Sequence, residues 1–189
     1  MTAQDRVHWD STYRERGEND YPDPDPLLFQ FTPPLRDGES ASALDLACGL
    51  GQNGLWLAAQ NYVVSLVDVS RVALTRAQTE AAQRNLRSIN FFQLDLDNAE
   101  LEADSYDLVC IFRFLNRELM AQIRAVVKPG GRILYQTFNT RYLTIRPNMD
   151  PDYLFGIGEL AGYFGDWKIL HLSEPEHISQ LVAIKPQKD

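Results

Sequence analysis

The hydrophobic and polar positions of this chain divide most of it into alternating strand and helix segments. Seven apolar runs are typical of strands, and they are residues 44–46, 62–67, 89–94, 106–112, 133–138, 168–172 and 178–184. Segments with the pattern of a helix lie between several of them, at residues 55–60, 72–85 and 118–127. Because strands and helices alternate, we expect the first five strands to pair in parallel through right-handed crossovers.

The last two predicted strands have a different connection. Only a short polar link around residues 174–176 separates them, and a link of that length cannot hold a helical crossover. These two strands are therefore expected to form an antiparallel hairpin. Together the patterns predict an α/β fold with a Rossmann-like, doubly wound sheet of seven strands, parallel except for the antiparallel C-terminal hairpin.

Three segments lie outside this alternation. Residues 7–16 have the pattern of a helix, which places Trp9 and Tyr13 one turn apart on the same side. Alternating prolines at residues 22–26 forbid a helix and favour an extended lead-in. Residues 139–158 are irregular and rich in Arg, Tyr, Pro and Asn, and a loop of this length is usually functional or disordered.

A glycine-rich turn connects the first strand to the first helix after it. Gly49 and Gly51 lack a Cβ, so the turn can adopt left-handed conformations and a ligand can lie against bare backbone. Unpaired N–H groups at such a turn favour an electronegative ligand group. Asp45 would repel a pyrophosphate and instead suits a ligand that carries an amine or a cation. With Gly54 the glycines also match G-x-G-x-x-G, so a dinucleotide site and a plain turn remain alternatives.

Acidic residues follow the second and third predicted strands. Asp68 lies about twenty residues beyond the glycines, where an acid accepts hydrogen bonds from ribose hydroxyls in nucleotide-binding α/β folds. Its alternative role is a second cap for the helix whose expected N-cap is Ser70. Asp95 is placed to accept a hydrogen bond from an adenine amine, and Leu96 to pack on the ring. Asp97 is the alternative to Asp95, since only position separates the two.

Four motifs together are typical of one enzyme family. They are residues 44–54, 67–70, 94–96 and 128–131. On these motifs the chain resembles the class I S-adenosylmethionine-dependent methyltransferases over nearly its whole length. Within that family it is most similar to the small TehB-like, tellurite-resistance-type methyltransferases, and this likeness rests on residues 8–10, 45–49, 112–117, 158–160 and 181–186. Relatives often have His where this chain has Asn116.

The resemblance implies S-adenosyl-L-methionine as cofactor and S-adenosyl-L-homocysteine as product. The implied cofactor-binding residues are Asp45, Ala47, Gly49 and Gly51 for the methionine part, Asp68 for the ribose, and Val69, Asp95 and Leu96 for adenine. Phe112 and Arg113 would lie beside the sulfonium, and Arg113 is the candidate catalytic residue. Trp9 and Tyr13 would close the site from the N-terminal side, or alternatively anchor their helix on the domain.

Composition narrows the class of protein and its partners. The chain has 189 residues, of which 44% are hydrophobic, and this suits one domain with a full core. We expect a single methyltransferase domain, residues 1–189, with residues 1–36 as N-terminal helix and lead-in and residues 139–158 as substrate loop. A net charge of -8 disfavours long nucleic acid and anionic membranes as partners.

Location and metal content follow from what the sequence lacks. No apolar run is long enough to span a bilayer, and the polar N-terminal stretch has no signal-peptide core, so a cytoplasmic protein is expected. Cys48 and Cys110 do not have the spacing of a zinc site, and no metal is expected. Both are expected to be free thiols, packed as small hydrophobic side chains.

The sequence thus predicts methyl transfer to a small-molecule acceptor by in-line displacement. An anionic, thiol or metalloid acceptor is expected. The case for an anionic acceptor is that guanidinium groups match oxyanions. The arginines that could hold such an acceptor are Arg113, Arg117, Arg141 and Arg146; exposed, solubilising roles are the alternative for at least half of them. The alternative functions are an NAD-type oxidoreductase and a non-catalytic cofactor-binding module. The oligomeric state stays open.

Overall fold

The structure of the protein is a computed structural model that describes residues 3–16 and 21–188. Met1 and Thr2 of the polar N-terminal stretch lie outside these residues. The chain divides into two compact units, Met1–Glu100 and Leu101–Asp189, and each is described by itself. The single methyltransferase domain expected from the sequence stays a prediction.

The first unit begins with two helices and continues with alternating strands and helices. Its elements are α1 (Ala3–Glu15), α2 (Pro26–Phe31), β1 (Ser42–Leu46), α3 (Gln52–Ala59), β2 (Val63–Asp68), α4 (Arg71–Gln83) and β3 (Ile89–Gln93). The strands pair in parallel in the order β3-β2-β1. At the carboxyl ends, Leu46 pairs with Val67 and Asp68 pairs with Gln93. The predicted binding residues that follow β1, β2 and β3 therefore lie at the same edge of the sheet.

Strand β2 forms the centre of the first unit. Val64 and Leu66 are completely buried, as expected for a strand covered on both faces. Helix α3 packs so closely on this strand that a Cβ added to Gly54 would lie 2.1 Å from Cδ2 of Leu66. Only glycine is compatible with that approach, which accounts for the third glycine of the predicted motif.

The second unit carries the remaining four strands. Its elements are β4 (Tyr106–Phe112), α5 (Met120–Val126), β5 (Val127–Phe138), 3-10 helices at Thr140–Thr144 and Pro151–Tyr153, α6 (Glu159–Tyr163), β6 (Lys168–Ser173) and β7 (Ile178–Ile184). Strands β4 and β5 are parallel, whereas β7 is antiparallel to both β5 and β6, in the order β4-β5-β7-β6. The predicted fold class is confirmed, since the seven strands form a mixed α/β sheet with an antiparallel C-terminal hairpin.

Two elements differ from the sequence prediction. Helix α2 was not predicted, although Asp25 accepts a hydrogen bond from the Leu27 N–H as its N-cap and Pro26 starts it. Strand β5 begins at Val127, whereas the sequence predicted a strand only over residues 133–138. Residues 128–131 bulge, because the register jumps from the pair formed by Val127 to the pair formed by Arg132.

Within the described part of the chain, no helix combines the length and the apolar character that crossing a membrane requires.

Candidate active site

The glycine loop between β1 and α3 has the backbone conformation that its sequence predicts. Gly49 and Gly51 have φ values of 56° and 76°, in the left-handed region. Ala47 also has a φ of 56°, which is uncommon for a residue with a Cβ. Asp45 is buried, and its Oδ2 accepts a hydrogen bond from the Gly54 N–H at 2.8 Å. This hydrogen bond therefore holds the end of β1 to the first turn of α3.

Asp68 connects the end of β2 to the glycine loop. Its side chain is buried, and its Oδ2 accepts from the Gly49 N–H at 2.7 Å while its Oδ1 accepts from the Ser70 N–H at 2.8 Å. Burial raises the pKa of Asp68, and these backbone hydrogen bonds oppose that rise. Each carboxylate oxygen has a further lone pair. Ser70 is the N-cap of α4, as predicted, and accepts from the Ala73 N–H.

The turn after β3 contains the predicted adenine residues. Asp95 is half-buried, and it accepts hydrogen bonds from the Asp97 N–H and the Asn98 side-chain amide, both at 3.1 Å. Such local hydrogen bonds are typical of an acid that shapes a turn. Leu96 and Val69 are buried. The structure thus makes Asp95 the acid that holds the turn, while Asp97 is exposed.

Helix α1 lies over the glycine loop. A Cβ added to Gly49 would lie 2.5 Å from the hydroxyl oxygen of Tyr13, so the tyrosine ring closes the space above that glycine. The Trp9 ring lies next to the Tyr13 ring, with centroids 5.9 Å apart, and 38% of Trp9 is exposed. The two aromatic side chains are on the same side of α1, as predicted from their spacing.

A hydrogen-bonded contact that sequence reasoning missed fastens α1 to α4. Oδ1 of Asp10 accepts from the Ser70 hydroxyl at 2.6 Å and from the Val72 N–H at 3.2 Å. Arg76 donates to the carbonyl oxygens of Tyr13, at 3.0 Å, and of Arg16, at 3.2 Å. The only sequence signal was the spacing of Asp10 and Tyr13, three positions apart on one helix face.

The contact between α1 and α4 also lowers the pKa of Asp10 and lies beside a depression in the surface. Burial would raise the pKa of Asp10, but the Ser70 hydrogen bond and the Arg14 charge lower it below its ordinary value. A surface depression of about 390 Å³ lies beside the contact; it is lined by Asp10, Arg14, Arg71, Val72, Thr75 and Arg76 and does not include the glycine loop. Three of these six residues are arginines, so positive charge is concentrated beside the contact between α1 and α4.

The proline-rich lead-in contacts the glycine loop as well. The Tyr21 hydroxyl donates to the Leu50 carbonyl oxygen, and the Asp25 N–H donates to Oδ1 of Asn53 at 2.8 Å. An extended path was predicted for this segment, but these contacts were not. They connect the end of the loop and the first turn of α3 to the chain that precedes β1.

In the second unit, Phe112 and Arg113 lie at the carboxyl end of β4. Phe112 is half-buried and pairs with Gln136 of β5. Arg113 is exposed, has a φ of 59°, and donates its backbone N–H to the Gln136 carbonyl oxygen at 2.8 Å. Among the described residues, its guanidinium has no hydrogen-bond or ion-pair partner. This side chain is therefore available to a ligand.

Two of the four candidate arginines hold the protein together. Arg117 forms a bidentate pair with Glu159, at 2.7 and 2.9 Å, and donates to the carbonyl oxygens of Asp152 and Leu154. Arg141 donates to the carbonyl oxygens of Glu174 and Glu176. Their donors are directed at the chain itself, a structural role that differs from both the predicted acceptor binding and its alternative, an exposed and solubilising role. Arg146 lies at the exposed centre of residues 139–158.

Comparison with known proteins supplies the family. Residues 43–131 match a family described as "Methyltransferase domain". This match supports a class I S-adenosylmethionine-dependent methyltransferase domain in this chain. Its fold is similar to that of TehB from Haemophilus influenzae, with a TM-score of 0.68 at 21% identity over 79% of this chain and 59% of that chain. In sequence, TehB, named a probable S-adenosyl-L-methionine-dependent methyltransferase, is 27% identical over 139 residues, 69% of this chain and 47% of TehB.

Two other relatives of this methyltransferase domain are similar at the same level. Hemagglutinin 1 of Eikenella corrodens is 31% identical over 139 residues, which is 69% of this chain and 45% of the relative. Thiopurine S-methyltransferase of Vibrio cholerae is 29% identical over 130 residues, 59% of this chain and 60% of the relative. The chain spans about half the length of the curated relatives it matches.

S-adenosylmethionine is the cofactor of this methyltransferase class, and the first unit has features that fit it. Gly49 and Gly51 have the left-handed backbone of a tight strand-to-helix turn, and the Tyr13 hydroxyl lies over Gly49. The Asp68 carboxylate lies at the carboxyl end of β2, where an acid binds ribose hydroxyls in nucleotide-binding α/β folds. Val69 and Leu96 are buried apolar side chains of the kind that pack on a flat ring.

Proposed function

We propose that this chain transfers a methyl group from S-adenosylmethionine to a small-molecule acceptor by in-line displacement. The observation that carries the proposal is the buried Asp68 carboxylate, hydrogen-bonded to Gly49 in the loop where a cofactor would lie. An acid in this place favours the ribose hydroxyls of a nucleoside. Asp45, which precedes the glycines, disfavours the phosphates of a dinucleotide.

Each predicted binding residue has a proposed task. Asp45, Ala47, Gly49 and Gly51 surround the methionine part, Asp68 holds the ribose, and Val69, Asp95 and Leu96 hold adenine. Trp9 and Tyr13 cover the loop and exclude water from it. Bound S-adenosylmethionine supplies a methyl group already activated by a sulfonium leaving group. The chain therefore contributes mainly alignment, which can lower a barrier by about 7–11 kcal/mol.

The acceptor is proposed to be anionic and to bind Arg113, with Phe112 beside the sulfonium. The exposed, unpartnered guanidinium of Arg113 supports this role, since guanidinium groups bind oxyanions in pairs of hydrogen bonds. A thiol acceptor is compatible with the name of the Vibrio cholerae relative, thiopurine S-methyltransferase. A thiol ionises near pH 8.5, so it needs little help from a general base at neutral pH.

We further propose that the protein acts in the cytoplasm on small molecules and not on nucleic acid. The net charge of -8 supports the second statement, because phosphate backbones bind concentrated positive charge.

Calorimetric titration with S-adenosylhomocysteine and, separately, with NAD tests the cofactor. We expect binding of the first and none of the second, and the reverse result would favour an oxidoreductase. Transfer of a labelled methyl group to a panel of thiols, carboxylates, amines and metalloid oxyanions tests the activity. Cofactor binding without any transfer would instead favour a non-catalytic module.

A further inference from the structure

Three aromatic residues form a continuous surface at the carboxyl end of β5. Phe138 is the last residue of this strand, Tyr142 lies in the following 3-10 helix, and His177 precedes β7. The rings of Phe138 and Tyr142 are stacked, with centroids 4.1 Å apart and planes inclined by 12°. The His177 ring lies 5.3 Å from Tyr142 and 6.0 Å from Phe138. We call these three residues the aromatic stack.

The aromatic stack is not part of the buried core. All three residues are half-buried, whereas Tyr135 in the same strand is completely buried and packs against Phe155 with ring centroids 5.6 Å apart. Alternation along a strand places Phe138 on the face of Gln136, opposite to Tyr135. Leu134 and Gln136 on the Phe138 face are buried as well, so the aromatic stack lies where this face of β5 reaches the surface at the end of the strand.

The strand register places the stack near Arg113. The Arg113 N–H donates to the Gln136 carbonyl oxygen at 2.8 Å, and Phe138 lies two residues further along β5. Two residues of a strand span about 7 Å. The backbones of Arg113 and Phe138 thus lie close together at the ends of neighbouring strands, and no described residue pairs with the Arg113 guanidinium.

We infer that the acceptor is a planar aromatic ring that carries an anionic group, an inference that rests on the proposed function. The ring packs on the aromatic stack, because offset and edge-to-face contacts between rings are favourable. The anionic group binds Arg113. A thiol on this ring releases its proton to solvent, and its sulfur bonds to the methyl carbon as the carbon–sulfonium bond breaks. The electron pair of that bond remains on the sulfur of S-adenosylhomocysteine.

Two probes separate the ring from the other groups of the acceptor. 2-Mercaptobenzoate and 3-mercaptopropionate both carry a thiol and a carboxylate, but only the first has a ring. Because an aromatic thiol also ionises more readily, the ratio of kcat/KM for the two probes is compared between variants. We expect Tyr142→Leu to lower this ratio about fivefold, mainly through KM for the aromatic probe.

The matched control is Phe29→Leu. Phe29 is also exposed and also pairs with another ring, that of Trp56 at 5.1 Å, but it belongs to α2. This control should leave the ratio unchanged. Phe138→Leu is the second variant and is used if Tyr142→Leu lowers the melting temperature so far that it does not fold.

A ratio that Tyr142→Leu leaves unchanged, or that Phe29→Leu lowers equally, overturns the inference. Absence of methyl transfer by the wild type to either probe and to every acceptor of the panel overturns the proposed function instead. In that case calorimetric binding of 2-mercaptobenzoate to the protein loaded with S-adenosylhomocysteine still tests the aromatic stack. Equal affinity of wild type and Tyr142→Leu would then overturn the inference.

Discussion

Replacing Asp10 by alanine is expected to weaken binding of S-adenosylhomocysteine about tenfold while the strands stay folded. Asp10 fastens α1 to the start of α4, and Tyr13 on the same helix closes the space above Gly49. Without the carboxylate, Arg76 still donates to the carbonyl oxygens of Tyr13 in α1 and of Arg16, the residue after the helix. The helix should then leave the glycine loop more often.

The magnitude follows from the contacts of the carboxylate. The hydrogen bond from Ser70 is short, 2.6 Å, and the one from the Val72 N–H is longer, 3.2 Å. A hydrogen bond to a charged group contributes about 1.5–3 kcal/mol. Because 17% of the Asp10 side chain remains exposed to solvent, the lower end of about 1.5 kcal/mol applies, which is about a tenfold change in an equilibrium constant.

Calorimetry measures the affinity, and hydrogen exchange measures the opening of α1. Asp10→Asn keeps an acceptor for the Ser70 hydroxyl and should restore part of the affinity. Glu15→Ala is the control on the same helix, since Glu15 is exposed and accepts from Ser11 one turn away. Unchanged affinity in Asp10→Ala, or an equal loss in Glu15→Ala, would refute the reasoning.

The pH dependence gives an independent check on Asp10. Its pKa in the folded protein lies below the ordinary value of 3.8. A carboxylate with a depressed pKa contributes above its unfolded pKa, and the contribution is lost as the pH falls through the folded pKa. The difference between wild type and Asp10→Ala should therefore persist at neutral and mildly acidic pH and shrink only below 3.8.

Three further predictions concern the other named side chains. Asp68→Ala should weaken S-adenosylhomocysteine binding by about 1–3 kcal/mol, measured by calorimetry, because the ribose loses a charged acceptor. Arg113→Met should leave that affinity nearly intact and raise KM for an anionic acceptor about tenfold in steady-state kinetics, as expected when only substrate binding is lost. Arg117→Met should lower the free energy of unfolding by about 1–2 kcal/mol in urea titration and speed hydrogen exchange over residues 151–159, because two carbonyl oxygens and Glu159 lose their donor.

Each of these has an outcome that contradicts it. An Asp68→Ala protein with native affinity would remove that acid from the site. A loss of cofactor affinity or of folding in Arg113→Met would make Arg113 a cofactor or structural residue. Unchanged exchange over residues 151–159 in Arg117→Met would show that other contacts hold this segment. The hydrogen bond with Arg117 lowers the pKa of Glu159 below its ordinary value of 4.5. The difference in unfolding free energy between the wild type and Arg117→Met should therefore shrink as the pH falls below 4.5.

The strands and the glycine loop could be predicted because their signals are local. A buried strand such as β2 has to be apolar on both faces, and Gly49 and Gly51 occur where the backbone has positive φ. The local signals for α2, Asp25 as N-cap and Pro26 at the first position, were present but were outweighed by the surrounding prolines.

Contacts between distant residues had no such signal. Asp10 and Ser70 are sixty positions apart, and Arg117 and Glu159 are forty-two. Periodicity gives the side of a helix on which an acid lies, but not the element that the helix packs against. For the same reason the four candidate arginines could be named from the sequence. Coordinates were needed to divide them into Arg117 and Arg141, whose guanidinium groups bind the chain, and Arg113 and Arg146, whose guanidinium groups have no partner among the described residues.

The two bound arginines have a consequence for how this protein can diverge. Arg141 anchors the beginning of the 139–158 segment to carbonyl oxygens before β7, and Arg117 anchors its end through Asp152, Leu154 and Glu159. The stretch between these anchors, residues 145–149, can lengthen, shorten or change composition without moving either one. Duplicated copies of the gene can therefore vary these five positions while both anchors and the sheet are inherited unchanged.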